Sequence, residues 1–441
     1  MRIAFFVPSF PEVSETFILR QVVGLLDRRH EVRIFAYRPA TRGPVQEAVK
    51  AYRLDELVRV LPNRRDAVNG SDPSRDAAVR TARRWPRPSA RVLGCLRQSY
   101  ADRVGGWRTL VRTLAALGDE RPFDVVHCHY GDIGLRYAVA ARLWRAPLVV
   151  SFYGHDCSAV PRERGARVFE PLFAEADAVA VLSDHMAARL RMLGCPPALL
   201  RRVPLAVDPD IRKPRLPVAG RAAPRLLTVA RLAEKKGLEF ALRALGLVRD
   251  EFPEVQLEIV GAGPLLEELR ELARTLGVEN HVHFAGARTQ EYVGEALRRA
   301  DVFLLPSVTA ANGDEEGTPT VLLEAALCGI PVLSTVHAGI PEIVQDGESG
   351  YLVPERDAEA LAARLRTLLR APERWPAMGE AGQRYVETHH VTSVVAERLE
   401  QVYAGTRRSG SRPARERGRE SLPNAETETS NIGHTATTGA K

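Results

Sequence analysis

Short apolar runs alternate with amphipathic stretches along nearly the whole chain, the pattern of parallel sheets whose strands are joined by crossover helices. In the first half the strand-like runs are Ile3–Val7, Val32–Ala36, Asp124–Cys128, Leu148–Phe152, Ala178–Leu182 and Arg202–Pro204. In the second half they are Arg225–Ala230, Gln256–Val260, Val282–Ala285, Val302–Leu305 and Val332–Ser334. Between the two sets, Asp208–Pro224 is rich in Pro, Arg and Gly and lacks periodicity, so it reads as a linker. Helical patterns follow at Asp357–Leu369 and Ala377–Ala404. The segment Thr41–Arg103, rich in Arg and Pro, reads as a helical excursion within the first domain. The predicted fold is α/β, with two Rossmann-like parallel-sheet domains at 1–207 and 225–385 and a linker at 208–224. A helix at 386–404 packs back toward the first domain, and a polar tail at 405–441 is expected to be disordered.

Composition sharpens this picture only a little. A chain of 441 residues exceeds what one hydrophobic core usually organises, which favours two domains. Its five cysteines (Cys95, Cys128, Cys157, Cys195, Cys328) are scattered without paired spacing, against a disulfide framework or a zinc site and for a reducing compartment. Met1–Val7 runs straight into a strand, and no apolar run approaches the roughly 18 residues a bilayer span needs. The expected location is therefore the cytoplasm. Lys and Arg number 62 against 55 acidic residues. The arginine clusters lack aromatic interleaving, which argues against nucleic acid and leaves either simply solvated basic surfaces or a weak contact with an anionic membrane surface at the inner face of the cell membrane.

The informative run is Gly313-Asp314-Glu315-Glu316-Gly317-Thr318-Pro319-Thr320-Val321-Leu322-Leu323-Glu324, ending in Gly329 and Pro331. Thr318 is a good N-cap, Pro319 suits a first helical position, and Gly329 stops the helix. A short helix there, after the strand Val302–Leu305, offers free backbone N–H groups and a positive dipole end to a phosphate. Glu316 before the helix and Glu324 within it can accept hydrogen bonds from hydroxyls on either side of a diphosphate. A second element, Arg231-Leu232-Ala233-Glu234-Lys235-Lys236-Gly237, follows the strand Arg225–Ala230. In it Arg231 and Lys236 place a forked donor and a point charge on one anion. The turn Gly261-Ala262-Gly263-Pro264 lets backbone approach a ligand, with Gly263 the candidate contact.

In the first half, Val126-His127-Cys128-His129-Tyr130-Gly131 and Ser151-Phe152-Tyr153-Gly154-His155-Asp156 end successive strands. His129, His155 and Asp156 are polar groups able to meet acceptor or sugar hydroxyls. Ser14 reads as an N-cap for the amphipathic helix that starts near Phe17, and Ser14 with Glu15 is a candidate acceptor contact.

The Glu-Gly-x-Pro…Glu run, with Glu316 and Glu324 eight positions apart, resembles the signature of glycosyltransferase family 4. Arg231 and Lys236 match that family's diphosphate-binding pair, and Gly261–Pro264, His283–Gly286 and Gly339–Glu342 fit its other blocks. The opening Pro11-Glu12-Val13-Ser14-Glu15-Thr16-Phe17 is similar to the exopolysaccharide, colanic-acid-type branch. The resemblance implies a GT-B fold in which two domains face a central cleft, the first on the acceptor side and the second binding the nucleotide sugar. It implies retaining transfer of a hexose, without metal or cofactor, from a nucleotide-diphosphate sugar, UDP-linked being the commonest. The acceptor it implies is a glycan or polyprenyl-linked oligosaccharide. It assigns Arg231 and Lys236 to the departing diphosphate, Glu316 to the transferred sugar and Glu324 to the ribose. Gly317, Thr318, Pro319 and Thr320 then supply main-chain contacts. The family's His-Gly position is Tyr153-Gly154 here, so either the Tyr153 hydroxyl substitutes or His155 reaches in. Two alternatives stand beside this reading: a nucleotide-sugar epimerase on the same scaffold, and a non-catalytic nucleotide-sugar-binding protein.

Overall fold

A computed structural model describes residues 1–12, 15–40, 46–62, 90–212 and 223–409. Ser14, most of the linker and the tail from 410 lie outside the described residues. The chain folds into two parallel sheets. The first holds seven strands, β1 (Arg2–Val7), β2 (Glu31–Ala36), β3 (Val58–Val60), β4 (Val125–His129), β5 (Leu148–Ser151), β6 (Ala178–Val181) and β7 (Leu200–Arg202). Their order is β3-β2-β1-β4-β5-β6-β7. The second holds six, β8 (Arg225–Val229), β9 (Gln256–Val260), β10 (Val282–Gly286), β11 (Val302–Leu305), β12 (Val332–Thr335) and β13 (Gly350–Val353). Their order is β10-β9-β8-β11-β12-β13.

Helices cover both faces of these sheets, which is why β1, β4, β5 and β11 have almost no residue reaching solvent and, apart from Arg2, His127, His129 and Ser151, consist of apolar side chains. In each sheet the chain reverses direction across the sheet at one point, between β1 and β4 and between β8 and β11. Loops leaving the carboxyl ends of those strands diverge there and leave a crevice. The two crevices face one another across a cleft of about 750 Å³.

Two edge strands escaped the sequence pattern. β3 is three residues long and lies in the segment expected to be helical; β13 follows a Gly-rich turn and carries a single glycine-led apolar run. The seventh strand of the first sheet forms at Leu200–Arg202, ahead of the expected Arg202–Pro204. The helical stretch expected across Ala377–Ala404 is two helices, Trp375–His389 and Thr392–Ser409, so helix replaces the expected tail at 405–409. The break has a physical cause: the chain crosses from the second domain to the first at His390–Val391. There the Val207 N–H donates to the His390 carbonyl at 2.8 Å, and Val207 pairs with Val391 as an isolated bridge. The Thr392 hydroxyl donates to the Val207 carbonyl at 3.1 Å. The final helix then lies on helix Thr16–Asp27 of the first domain, where a Cβ on Gly24 would meet Ala396 and Thr392 at 2.9 Å.

Candidate active site

The second-domain wall begins at Gly237. Its φ is 60°, and a Cβ there would sit 1.9 Å from the Pro306 carbonyl oxygen. Only glycine therefore lets the turn Glu234–Lys236 press against the end of β11, where the Val308 N–H donates to the Lys235 carbonyl at 2.9 Å. That turn delivers two cations into the crevice. Lys236 Nζ lies 2.7 Å from Glu316 Oε1, and Lys235 Nζ lies 3.0 Å from Asp314 Oδ2. Glu316 is 9% exposed. Burial alone would push its carboxyl upward, but Lys236 and then Lys235 hold it below the usual carboxylate range, so it remains an anion.

The loop carrying Glu316 is also fixed from behind. The Glu316 N–H donates to His337 Nε2 at 3.1 Å, and His337 Nδ1 pairs with Glu355 Oε1 at 2.5 Å. Glu355 in turn accepts the Thr309 N–H at 2.7 Å. These partners give His337 an accepting Nε2 and a donating Nδ1.

The helix after this loop is Thr320–Leu327, later than its sequence suggests. Pro319 stays extended, with ψ 113°, and no side chain caps the helix. Thr318 is therefore not the N-cap; it is buried, and a Cβ on Gly339 would meet its Oγ1 at 3.0 Å. Gly317, Thr318, Pro319 and Thr320 all line the cleft. Glu324 lines it too, on the helix face that looks toward the Arg20–Asp208 ion pair. Desolvation pushes its carboxyl up to about 7, with Arg20 pulling it down and Asp208 pushing it up. Arg231 is exposed within the cleft and has no ion-pair partner among the described residues.

Gly261 and Gly263 have a structural reason to be glycine. A Cβ on Gly261 would stand 1.9 Å from the Ala230 carbonyl oxygen, and one on Gly263 would stand 2.3 Å from that of Leu232. The two loops cross in contact, tied by the Leu232 N–H to the Ala262 carbonyl at 3.0 Å. Gly261 and Ala262 reach the cleft, whereas Gly263 packs beneath Leu232.

The first-domain wall is aromatic. Tyr153 packs between the tilted rings of Phe17 and Tyr130, with centroids 4.6 and 4.8 Å away. Its hydroxyl turns inward, 2.7 Å from Nδ1 of His129. His129 is fully buried, and its Nε2 has no partner among the described residues. Burial, and then the neighbouring His127, hold it well below the usual imidazole range, so it is neutral. Behind it His127 joins Tyr403 of the final helix at 2.7 Å to Ser151 at 2.8 Å.

Asp156 is also buried, and it organises backbone. It accepts the N–H groups of Tyr153, Gly154 and Gly131 at 2.8, 3.1 and 3.0 Å. Burial pushes its carboxyl up to about 6 despite those donors. His129 and Asp156 thus lie beneath the cleft surface in this structure. His155 is the exposed imidazole of that loop, and its Nδ1 stands 3.6 Å from Asp314 Oδ1. Glu15 accepts the Tyr130 hydroxyl at 2.9 Å, and burial pushes it up to about 7 against that hydrogen bond.

The structure therefore brings Arg231, Lys236, Glu316, Glu324, Tyr153 and His155 to one cleft. Sequence reasoning passed over Lys235, Asp314 and Glu315, although each stands inside a run it singled out. It had no signal for His337, which acts through a loop from another strand.

Against known proteins, residues 14–206 match the family model described as glycosyl transferase 4-like domain, and residues 219–385 match glycosyl transferases group 1. The putative colanic acid biosynthesis glycosyltransferase WcaL of Salmonella typhimurium is 35% identical over 380 residues, covering 83% of this chain and 90% of that protein. The amylovoran biosynthesis glycosyltransferase AmsK of Erwinia amylovora is 32% identical over 378 residues, with the same coverage of 83% and 90%. Among solved structures, Anabaena HepE in complex with UDP superposes with a TM-score of 0.67 at 18% identity, covering 92% of this chain and all of that one. WaaG, a glycosyltransferase involved in lipopolysaccharide biosynthesis, superposes at 0.59 with 19% identity, covering 91% and 99%. The fold is GT-B, and the chain belongs to glycosyltransferase family 4, in its exopolysaccharide-biosynthesis branch.

Proposed function

We propose that this glycosyltransferase moves a hexose from a nucleotide-diphosphate sugar, UDP-linked in the first instance, to a glycan or lipid-linked oligosaccharide, with retention and without a metal. The observation that carries this reading is the Lys236–Glu316 pair at 2.7 Å, beside an exposed Arg231 and at the tip of helix Thr320–Leu327. A diphosphate at that tip meets Arg231, Lys235 and Lys236, so charge growing on the leaving group is met by cations already in place. Its arrival draws Lys236 toward phosphate and frees Glu316 to accept hydrogen bonds from sugar hydroxyls. Glu324, a turn into the helix, accepts from the ribose. Retention then follows from attack on the same face, a donor phosphate oxygen taking the acceptor proton.

UDP as the nucleotide is supported by the likeness to Anabaena HepE, whose complex holds UDP and glucose. A GDP-mannose-dependent phosphatidylinositol monomannoside mannosyltransferase of Mycolicibacterium smegmatis is 33% identical over 280 residues, so guanine belongs in the test. A lipid-linked acceptor places the enzyme at the inner face of the membrane. Helix Trp107–Gly118 supports that placement, exposing Trp107 and Val111 beside Arg108 and Arg112. No helix among the described residues is long and apolar enough to cross a membrane.

The test is transfer from a panel of UDP- and GDP-sugars to lipid-linked oligosaccharide in the presence of EDTA, with the product's anomeric configuration read by NMR. An α-linked product from an α-linked donor supports the reading. Isotope wash-in at the sugar ring without transfer indicates an epimerase, and donor binding without turnover indicates a binding protein.

A further inference from the structure

Asp314, Glu315 and Glu316 are consecutive carboxylates with separate tasks. Glu316 faces Lys236 within the second domain, while Asp314 and Glu315 reach across to the first. Glu315 is the more committed of those two. Its Oε1 lies 3.3 Å from Arg189, its Oε2 lies 3.4 Å from His185, and its N–H donates to Ser158 Oγ at 3.2 Å. All three partners belong to the first domain, so these contacts exist only when the two domains meet. With a side chain 12% exposed, Glu315 is held below the usual carboxylate range by His185, then by Arg189, against the cost of burial.

The receiving surface has the geometry of a built socket. Helix His155–Arg164 presents His155, Ser158 and Arg162 at i, i+3 and i+7, one face of a helix. Helix Asp184–Met192 presents His185 and Arg189 at i and i+4. The loop 313–317 lies across both. Gly313 has a left-handed φ of 77°, and a Cβ on Gly317 would sit 2.3 Å from the Tyr153 carbonyl oxygen, so the loop enters and leaves the socket on glycine. A second carboxylate of the second domain grips the same helix. Glu342 accepts the N–H groups of Asp184 and His185 at 3.0 and 3.1 Å and pairs with Arg202 at 2.8 Å.

We propose that Glu315 is a positioning residue for the transfer reaction: by docking on His185, Arg189 and Ser158 it latches the domains closed and so sets Glu316, its neighbour in the chain, against the transferred sugar. The proposal rests on the reading of Glu316 given above. Glu315 touches neither nucleotide nor sugar; it converts closure of the cleft into the position of the next residue. With the latch open, the nucleotide still finds Arg231, Lys236 and Glu324 on the second domain, while the sugar no longer meets both walls.

The variants Glu315→Gln and Arg189→Ala test this in the full chain, with Arg189→Lys as the conservative control. UDP and GDP binding is read by calorimetry, transfer by turnover, and domain closure by small-angle scattering with and without nucleotide. The expected result is a kcat reduced about 20- to 100-fold in Glu315→Gln and Arg189→Ala, with nucleotide Kd changed less than about threefold. The nucleotide-bound radius of gyration should exceed that of the wild type, and Arg189→Lys should recover most of the lost turnover. A Glu315→Gln kcat within twofold of wild type, or scattering curves that superimpose with wild type, overturns the latch. A wild type that binds neither nucleotide overturns the donor reading instead, and the scattering comparison still decides whether Glu315 holds the domains together.

Discussion

The two walls of the cleft are made of opposite materials. On the second-domain side Arg231, Lys235 and Lys236 stand among Asp314, Glu316 and Glu324, and the ionisable groups are the surface that a ligand meets. On the first-domain side Phe17, Tyr130 and Tyr153 make the apolar surface, with His155 and Glu12 as its ionisable groups, while His127, His129 and Asp156 are sealed behind it. The difference follows the division of labour in the proposed reaction. A diphosphate leaving group needs fixed charge near its oxygens, whereas a sugar ring and its acceptor need shaped apolar faces with few polar handles. It also means that removing a side chain acts through chemistry on one wall and through packing on the other.

The sharpest way to break this contrast is to remove the ion pair at the helix tip. Glu316→Ala and Lys236→Ala are each expected to lower transfer by about 10³-fold, the scale of losing a preorganised charge at a reacting centre. The thermal midpoint should stay within a few degrees, and either variant with near-normal turnover removes that residue from the mechanism. Arg231→Ala comes next, with kcat/KM lower by about 10²-fold and no stability change, because the side chain is exposed and has no ion-pair partner among the described residues.

Acidity offers a third test. The Glu324 carboxyl is pushed up to about 7, so below that pH it is protonated and must ionise to accept both ribose hydroxyls. Ligand binding favours the charged form, hence nucleotide affinity should rise by about tenfold between pH 6 and pH 8. Glu324→Gln should flatten that profile, and a wild-type profile flat over the same range rules out the proposed role. The smallest effect on transfer belongs to the aromatic wall. Tyr153→Phe leaves buried His129 without the hydroxyl 2.7 Å away, costing about 1–3 kcal/mol of stability in denaturant titration. Transfer should fall less than tenfold, and a loss as large as that of Glu316→Ala would place the hydroxyl in the chemistry.

The same contrast explains what the sequence could and could not disclose. Charged residues at strand ends carry local signals: Arg231, Lys236, Glu316 and Glu324 were legible because turn glycines, a short helix and their spacing surround them. The buried side of the first wall has no such signal. The burial of His129 and Asp156 was not legible, because nothing local shows that Tyr153 covers one and that three backbone N–H groups enclose the other. Tyr153 could be flagged as a departure, but the direction of its hydroxyl depends on β4 and β5 lying side by side. The strands β3 and β13 went unread because each is short and edge-placed, and the helix break at His390 because a domain crossing is a tertiary event.

The central claim is that the second-domain crevice holds a nucleotide-diphosphate sugar. Calorimetric titration of UDP- and GDP-sugars into the wild type and Glu324→Ala tests it most directly. Selective binding of one nucleotide sugar, weakened about tenfold or more by the substitution, is the predicted result. Binding of none of them, or binding that Glu324→Ala leaves unchanged, would contradict the account.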